Sequence, residues 1–272
     1  MEPVFLPPAG FVLVHPITAR TAIVAREASA PNAPRFFAKR VASAHRGVAE
    51  ARQMLVREGC ILHLLAGSGY TAAPVAEGAD AAGPFLVTEM VAGRPVGNLA
   101  MGAVDEPTRE LVAALQALDA IHGAADHHGP LQVVHGDLSP ENLLVRAADG
   151  PLPCQVTVVD FELASYRDGG PPQDGSFRGT LRFAAPESAR EGARTVRGDL
   201  FALGAIFYER FTGVPARHRE GPALILEVAE EPIDLRPASA LPTRVEGALA
   251  RLLAFDPSGR ASSAKEVLDQ LT

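Results

Sequence analysis

The sequence predicts an α+β protein of two unequal lobes: a small β-rich one over about residues 1–90, a hinge over about 89–97, and a larger α-helical one over about 98–272. Three observations carry this. Short runs rich in Val, Ile and Phe, separated by Pro, Asn and Ser, fill the first part. A Gly/Pro-rich piece, "VAGRPVG" (91–97), then interrupts the chain. Beyond it, apolar residues recur mostly at helical spacing.

Taken in order, "FVLVH" (11–15), "RTAIVARE" (20–27) and "RFFAKRV" (35–41) read as an antiparallel meander of strands. From Ser43 to about Leu65, apolar Val48, Leu55, Ile61 and Leu62 mix with Glu50, Arg52, Arg57 and Glu58, which predicts one amphipathic helix stopped by Gly67 and Gly69. Two more strands follow around "APVAE" (73–77) and "PFLVTEM" (84–90). After the hinge, "EPTRELVAALQALDAIHGA" (106–124) carries Leu111, Leu115, Leu118 and Ile121 on one helical face. Two pairs of strand-like runs come next, "VVHGDLSPENLLV" (133–145) and "VTVVDFELA" (156–164), and then a Gly/Pro/Ser-rich loop (166–180). "DLFALGAIFYERF" (199–211) is apolar on nearly every side, the mark of a helix in the middle of a domain. Amphipathic helices near 222–230, 243–254 and 263–271 close the pattern.

The composition, 47% hydrophobic and 21% charged, is that of an ordinary globular chain able to bury a core. A formal net charge of -7 gives no general attraction to nucleic acid or an anionic membrane, so any bound phosphate needs a local site. Two distant cysteines, Cys60 and Cys154, suggest neither a zinc site nor a disulfide framework. With no signal-peptide pattern in "MEPVFLPPAG" and no apolar membrane-spanning run, a cytoplasmic protein without a membrane segment in this chain is expected.

The chemistry concentrates in the two runs after the hinge. Each delivers an Asp at the edge of an apolar stretch, Asp137 and Asp160, and Asn142 follows five residues after the first. Asx residues of this kind also serve as turn formers or helix caps. A small strand-rich lobe, a hinge and a helical lobe carrying such loops suit the clamping of a ligand.

These residues resemble, over nearly the whole chain, the eukaryotic-like (Hanks-type) Ser/Thr protein kinase family. "HGDLSPEN" (135–142) is similar to the catalytic loop HRDLKxxN, "DFE" (160–162) to DFG, and "GTLRFAAPE" (179–187) to the end of the activation segment. "RGDLFALG" (197–204) resembles the buried helix that opens with Asp, and "FDPSGRAS" (255–262) the stretch whose Arg pairs with the Glu of APE. The resemblance implies one bilobal kinase-like domain over 1–272, with ATP and Mg2+ as its ligands and a protein substrate or regulated protein partner.

It also implies roles. Phosphoryl transfer puts negative charge on the moving group, so a site must supply cations and fixed donors and must orient the attacking hydroxyl. Asp137 would orient or deprotonate that hydroxyl, and Asn142 and Asp160 would hold magnesium through oxygen ligands. Lys39 would contact the nucleotide phosphates. Its partner by residue type could be Glu50 or Glu58; "REGCIL" (57–62) resembles the family segment around that Glu, which selects Glu58. Thr88 would be the gatekeeper, and the backbone from Glu89 to Val91 would meet adenine. Glu187 and Arg260 would form a structural ion pair, and Thr180 would lie beside the catalytic Asp.

The departures bear on whether the chain is a catalyst. With "TAIVARE" aligned to the family's second strand, the three glycines of GxGxxG fall on His15, Ile17 and Arg20, where bulk would hinder positive φ and close approach to phosphate. Phe37 in "FFAK" stands where the family has Ala over the adenine, on the face of Lys39, and Ala22 stands where the facing strand has Val. The exchange either preserves volume or lets Phe37 fill the adenine space itself; an ordinary core Phe is the plainer account. Ser139 replaces the catalytic-loop Lys, Glu162 the Gly of DFG, and Gly136 the Arg of HRD, so phosphate on Ser176 or Thr180 should matter less to activity. Two functions follow: an active Ser/Thr protein kinase, or a pseudokinase acting as a binding or allosteric scaffold. A small-molecule phosphotransferase of the aminoglycoside type would share "HGDLSPEN" but not the APE, buried-helix and Arg260 pieces.

Overall fold

The computed structural model describes residues 5–27, 33–41, 49–98, 105–147, 154–171 and 176–271. The chain divides into two compact units, Met1–Val91 and Ala92–Thr272.

In the first unit, β1 (Phe11–Pro16), β2 (Thr21–Arg26), β3 (Phe36–Arg40), β4 (Pro74–Asp80) and β5 (Gly83–Glu89) form one antiparallel sheet in the order β1-β2-β3-β5-β4. Directly opposed residues share a face of such a sheet. Ala22 opposes Ala38, and Ala38 opposes Val87, so these three lie together in a buried cluster with Phe5, Phe11 and Val24. Phe36 packs on this cluster, its ring edge-on to Phe11 at 5.8 Å. Full burial of such a ring contributes on the order of 2–3 kcal/mol, and Phe36, half-buried, gains part of that. The other face carries Thr21, Ile23, Phe37, Lys39, Leu86 and Thr88.

The helix α1 (Ala49–Leu64) buries Leu55, Glu58, Gly59, Ile61 and Leu62. Positions 43–48 of the expected helix lie outside the described residues. Leu65 N–H still reaches the Ile61 carbonyl, and Gly67 at φ +84° then turns the chain in a conformation that a β-carbon disfavours. A buried arginine closes the sheet's far end. Arg40 donates to both Asp80 carboxylate oxygens at 2.6 and 2.9 Å and to the carbonyls of Leu6 and Gly83, which ties three segments to one cation. That guanidinium holds the Asp80 carboxyl at about 2, chiefly by hydrogen bonding.

The second unit contains β6 (Arg94–Pro95), α2 (Asp105–His122), β7 (Ala125–Asp126), β8 (Gly129–Pro130), β9 (Leu143–Ala147), β10 (Cys154–Val158), α3 (Pro186–Glu191), α4 (Val196–Thr212), α5 (Gly221–Glu230), α6 (Thr243–Leu252) and α7 (Ala264–Leu271). Strands β10, β9 and β6 make a small antiparallel sheet, and β7 and β8 a two-residue ribbon. The run before Asp137, expected to extend as a strand, makes only a single bridge, Val134 to Ser165. The short helix α3 was not legible beforehand: six residues are too few to show a period.

Helix α4 is the axis of this unit. Thr195 caps its start by accepting the Gly198 N–H at 2.9 Å, and Gly213 at φ +67° ends it. From Leu200 to Phe207 its apolar side chains are buried on all sides. Gly204 lets it approach the end of α6: a Cβ there would lie 2.7 Å from Leu252 Cβ and 3.0 Å from Leu253 Cδ2. Two buried ion pairs lock the packing, Arg210 of α4 to Glu110 of α2 and Arg260 to Glu187 of α3. Among the described residues, no helix is long and apolar enough to cross a membrane.

Candidate functional site

In the first unit, strand parity puts the charge where a phosphate ligand could be met. Lys39 on β3 and Glu58 on α1 point at each other, and Nζ donates to both carboxylate oxygens at 2.7 and 2.9 Å. Glu58 is buried, so the pair is shielded from water and holds the ammonium in a fixed place. Glu50, the other carboxylate of suitable type, is on the first turn of the same helix. Phe37, half-buried, shares the Lys39 face, and buried Thr88 on β5 stands opposite Phe37. Glu89 ends β5, exposed, with its own N–H donated to the Ala73 carbonyl at 2.9 Å; Val91 closes the unit.

One expectation for this unit is corrected. Ala22 does not share the face of Phe37 and Lys39. It opposes Ala38 and is fully buried on the other side of the sheet, so Ile23, opposite Phe37, occupies the place expected of Ala22. A one-residue difference in alignment reverses the side on which every strand residue points. The β1–β2 connection makes no use of a left-handed backbone at these positions: His15, Ile17 and Arg20 all avoid positive φ, in keeping with the bulk of their side chains. The turn is closed by Thr18 instead, whose Oγ1 accepts the N–H groups of Arg20 and Thr21, both at 3.0 Å, and pairs with Thr21 Oγ1 at 2.8 Å.

In the second unit, a buried carboxylate sets the geometry of the 135–137 turn. Asp199, at the start of α4, accepts the N–H of His135 at 2.8 Å and of Gly136 at 2.9 Å, and also bonds His122 Nε2 of α2 at 2.9 Å. Burial alone would raise its pKa, but the His122 bond, the nearby histidines and the Gly136 amide outweigh it and keep the carboxyl below its ordinary range. His135 Nδ1 accepts the Asp137 N–H at 3.3 Å, which assigns the proton to Nε2, facing the Val159 carbonyl at 3.1 Å. Its ring lies edge-on to buried Phe161 at 4.8 Å. The loop holding Asp137 is thereby joined to the loop holding Asp160.

Three further bonds bring the expected residues into one region. Asn142 Nδ2 donates to the Asp137 carbonyl at 3.0 Å, and the Asn142 carbonyl accepts the Val159 N–H at 3.0 Å, one residue before Asp160. Thr180 N–H donates to Asp137 Oδ1 at 2.7 Å. Asp160 is exposed and left-handed at φ +67°; Gln132 is the other non-glycine with positive φ among the described residues. Such a backbone costs about 1–3 kcal/mol and persists where the surroundings impose it, commonly at functional sites. Asn142 Oδ1 and the Asp160 carboxylate are hard oxygen donors on bonded loops. That set fits magnesium, which uses one or two protein carboxylates and completes its shell with phosphate and water; no group of three His, Cys, Asp or Glu able to hold a metal occurs among the described residues.

Gly179 and His122 were missed. Gly179, at φ +121°, sits so close to Asp137 that a Cβ would lie 2.9 Å from Oδ1, and its place before Thr180 was the available signal. His122 gave none: a histidine at the end of an amphipathic helix has no pattern that points to Asp199.

The family described as protein kinase domain matches residues 75–271. The chain is 30% identical over 235 residues to the tyrosine-protein kinase MasK of Myxococcus xanthus, covering 84% of this chain and 33% of that protein. It is 33% identical over 190 residues to the serine/threonine-protein kinase Pkn1 of Myxococcus xanthus, covering 66% and 26%. With the serine/threonine-protein kinase PrkC of Bacillus subtilis the figures are 28% over 158 residues, 57% and 24%. The chain thus spans about a third or less of the length of these relatives. Among solved structures, the PK-1 kinase of Cydia pomonella granulovirus superposes with a TM-score of 0.70 at 15% identity, over 96% of this chain and 94% of that one, which shows a shared fold.

Proposed function

The chain belongs to the protein kinase domain family, and from that premise we propose that it transfers the γ-phosphate of Mg-ATP to Ser or Thr hydroxyls of protein substrates, working as a single bilobal domain in the cytoplasm. The observation that carries the reading is the bonded set Asp137, Asn142 and Val159–Asp160, tied by Asp199 to the core of the second unit. Preorganisation of this kind removes the reorganisation that a mobile loop would need at the moment of reaction.

In this reading Asp137 accepts the proton of the substrate hydroxyl, with Oδ1 oriented by the Thr180 N–H. Thr180 beside Asp137 favours Ser and Thr as acceptors. Lys39, held by Glu58, neutralises nucleotide phosphate oxygens. Asn142 Oδ1 and Asp160 would hold magnesium, which supplies positive charge to the phosphates when bound. With the Glu89 N–H engaged by Ala73, adenine would meet the Glu89 carbonyl and the Val91 backbone. The test is magnesium-dependent transfer from labelled ATP to Ser, Thr and Tyr peptide arrays. Transfer to Ser or Thr that is abolished by Asp137→Asn supports the proposal; its absence in the native chain sinks it.

A second reading has its own observation. Phe37 stands on the Lys39 face, where a bulky ring can occupy the adenine space, and the glycine-free β1–β2 turn offers no close backbone approach to phosphate. A pseudokinase that binds nucleotide weakly and acts through a protein partner would have those features.

A further inference from the structure

Gly136 stands where the family's catalytic loop carries arginine, beside Asp137. Its surroundings are not empty. A Cβ built at Gly136 would lie 3.0 Å from Arg194 Cδ, 3.2 Å from Arg194 Nε and 3.1 Å from the Leu163 carbonyl oxygen. Arg194 comes from the short connection between α3 and α4, far away in sequence. That connection is anchored on both sides: Ser188 Oγ donates to the Ala193 carbonyl at 2.8 Å, and Thr195 caps α4. The half-buried Arg194 side chain is thereby aimed across the Gly136 backbone into a small cavity that it lines together with Asp137, Phe177, Thr180 and Asp199.

We propose that Arg194 is a positioning residue for Asp137: its side chain takes the space left by the missing side chain at 136 and braces the Gly136–Asp137 turn against the 177–180 segment. The physical case is complementarity. A glycine with φ +75° leaves its side-chain space open, and the Arg194 stem enters that space closely enough that an added β-carbon would have to push it back by a few tenths of an ångström while the backbone was strained. The guanidinium also returns a cation to the neighbourhood of Asp137 from a different element. The catalytic part of this inference rests on the kinase reading above; the bracing part does not.

The experiment uses the full chain and the variants Arg194→Ala, Arg194→Lys, Gly136→Ala and the double Gly136→Ala/Arg194→Ala. Arg194→Ala should lower kcat roughly 10- to 100-fold with KM for ATP nearly unchanged, as expected for a displaced catalytic group. Arg194→Lys, which keeps the stem and the charge, should recover part of the loss. Gly136→Ala should be much more damaging with Arg194 present than without it, a non-additivity that independent sites lack. Amide hydrogen exchange at Gly136, Asp137 and Thr180 should quicken about tenfold in Arg194→Ala, reporting local opening. Exchange rates there unchanged by Arg194→Ala, or effects of the two single changes that simply multiply in the double variant, overturn the proposal. If the native chain transfers no phosphate, the kinase reading falls, and hydrogen exchange with the stability coupling of the same four proteins still decides the bracing.

Discussion

Arg260 and Glu187 are joined by two parallel hydrogen bonds of 2.6 and 2.9 Å, and the Arg260 side chain, wholly buried, also donates to the carbonyls of Ala254 and Phe255 while its Cζ lies 4.7 Å from the centre of the Phe201 ring. One guanidinium therefore fastens α3 to α4 and to the loop before α7. Arg260→Ala leaves the Glu187 charge without its partner, which costs about 3–5 kcal/mol when an ion pair is this deeply buried. Thermal denaturation should show a large fall in Tm; a loss below about 1 kcal/mol would mean that the pair is solvated in solution.

Asp160→Asn keeps shape and removes charge. On the magnesium reading, ATP should raise the Tm of this variant equally with and without magnesium, whereas the native chain should show an added metal-dependent increment. An increment of native size in the variant would remove Asp160 from the ligand set.

Phe37→Ala separates the two functional readings. If the ring fills the adenine space, truncation should tighten nucleotide binding, by roughly tenfold or more; if it forms the roof over bound adenine, truncation loses buried apolar contact of about 3 kcal/mol and binding weakens. Calorimetric titration with an ATP analogue reads the sign directly.

Gly204→Ala tests the close approach of α4 to the end of α6. The added methyl would meet Leu252 Cβ, which cannot move without its backbone, as well as the Leu253 side chain, so a loss of about 1–3 kcal/mol is expected in urea denaturation. A neutral effect would show that the two helices can separate cheaply.

Acid should weaken the first unit through Asp80. Its folded-state value of about 2 lies below the ordinary 3.8, so the Arg40–Asp80 contact contributes fully above about pH 4 and is lost as pH falls toward 2. Replacing Asp80 by Asn should flatten that part of the stability curve, and an unchanged slope would contradict the assignment.

The fold's larger elements were legible because their signals are periodic: α2 shows Leu111, Leu115, Leu118 and Ile121 on one stripe, and α4 shows apolar residues all round. The loops carrying Asp137, Asn142 and Asp160 were legible from spacing. What escaped depends on parity or on distant partners. Ala22 was assigned to the wrong face because strand alternation amplifies a one-residue offset into a reversal. Thr18 closes the β1–β2 turn through its side chain, a local contact that its residue type alone did not single out. Arg194 over Gly136 and His122 on Asp199 join residues tens of positions apart, and no local pattern encodes such meetings.

The attachments of the Asp137 turn are unequal. Two amides hang from Asp199, whose carboxylate is sunk in the core, whereas Thr180 holds the aspartate itself through a single exposed bond. Release of the aspartate is therefore cheap on one side and expensive on the other. Loss of the Thr180 bond alone would free the Asp137 side chain and leave the fold intact, whereas loss of the Asp199 anchor would disturb the core of the second unit as well.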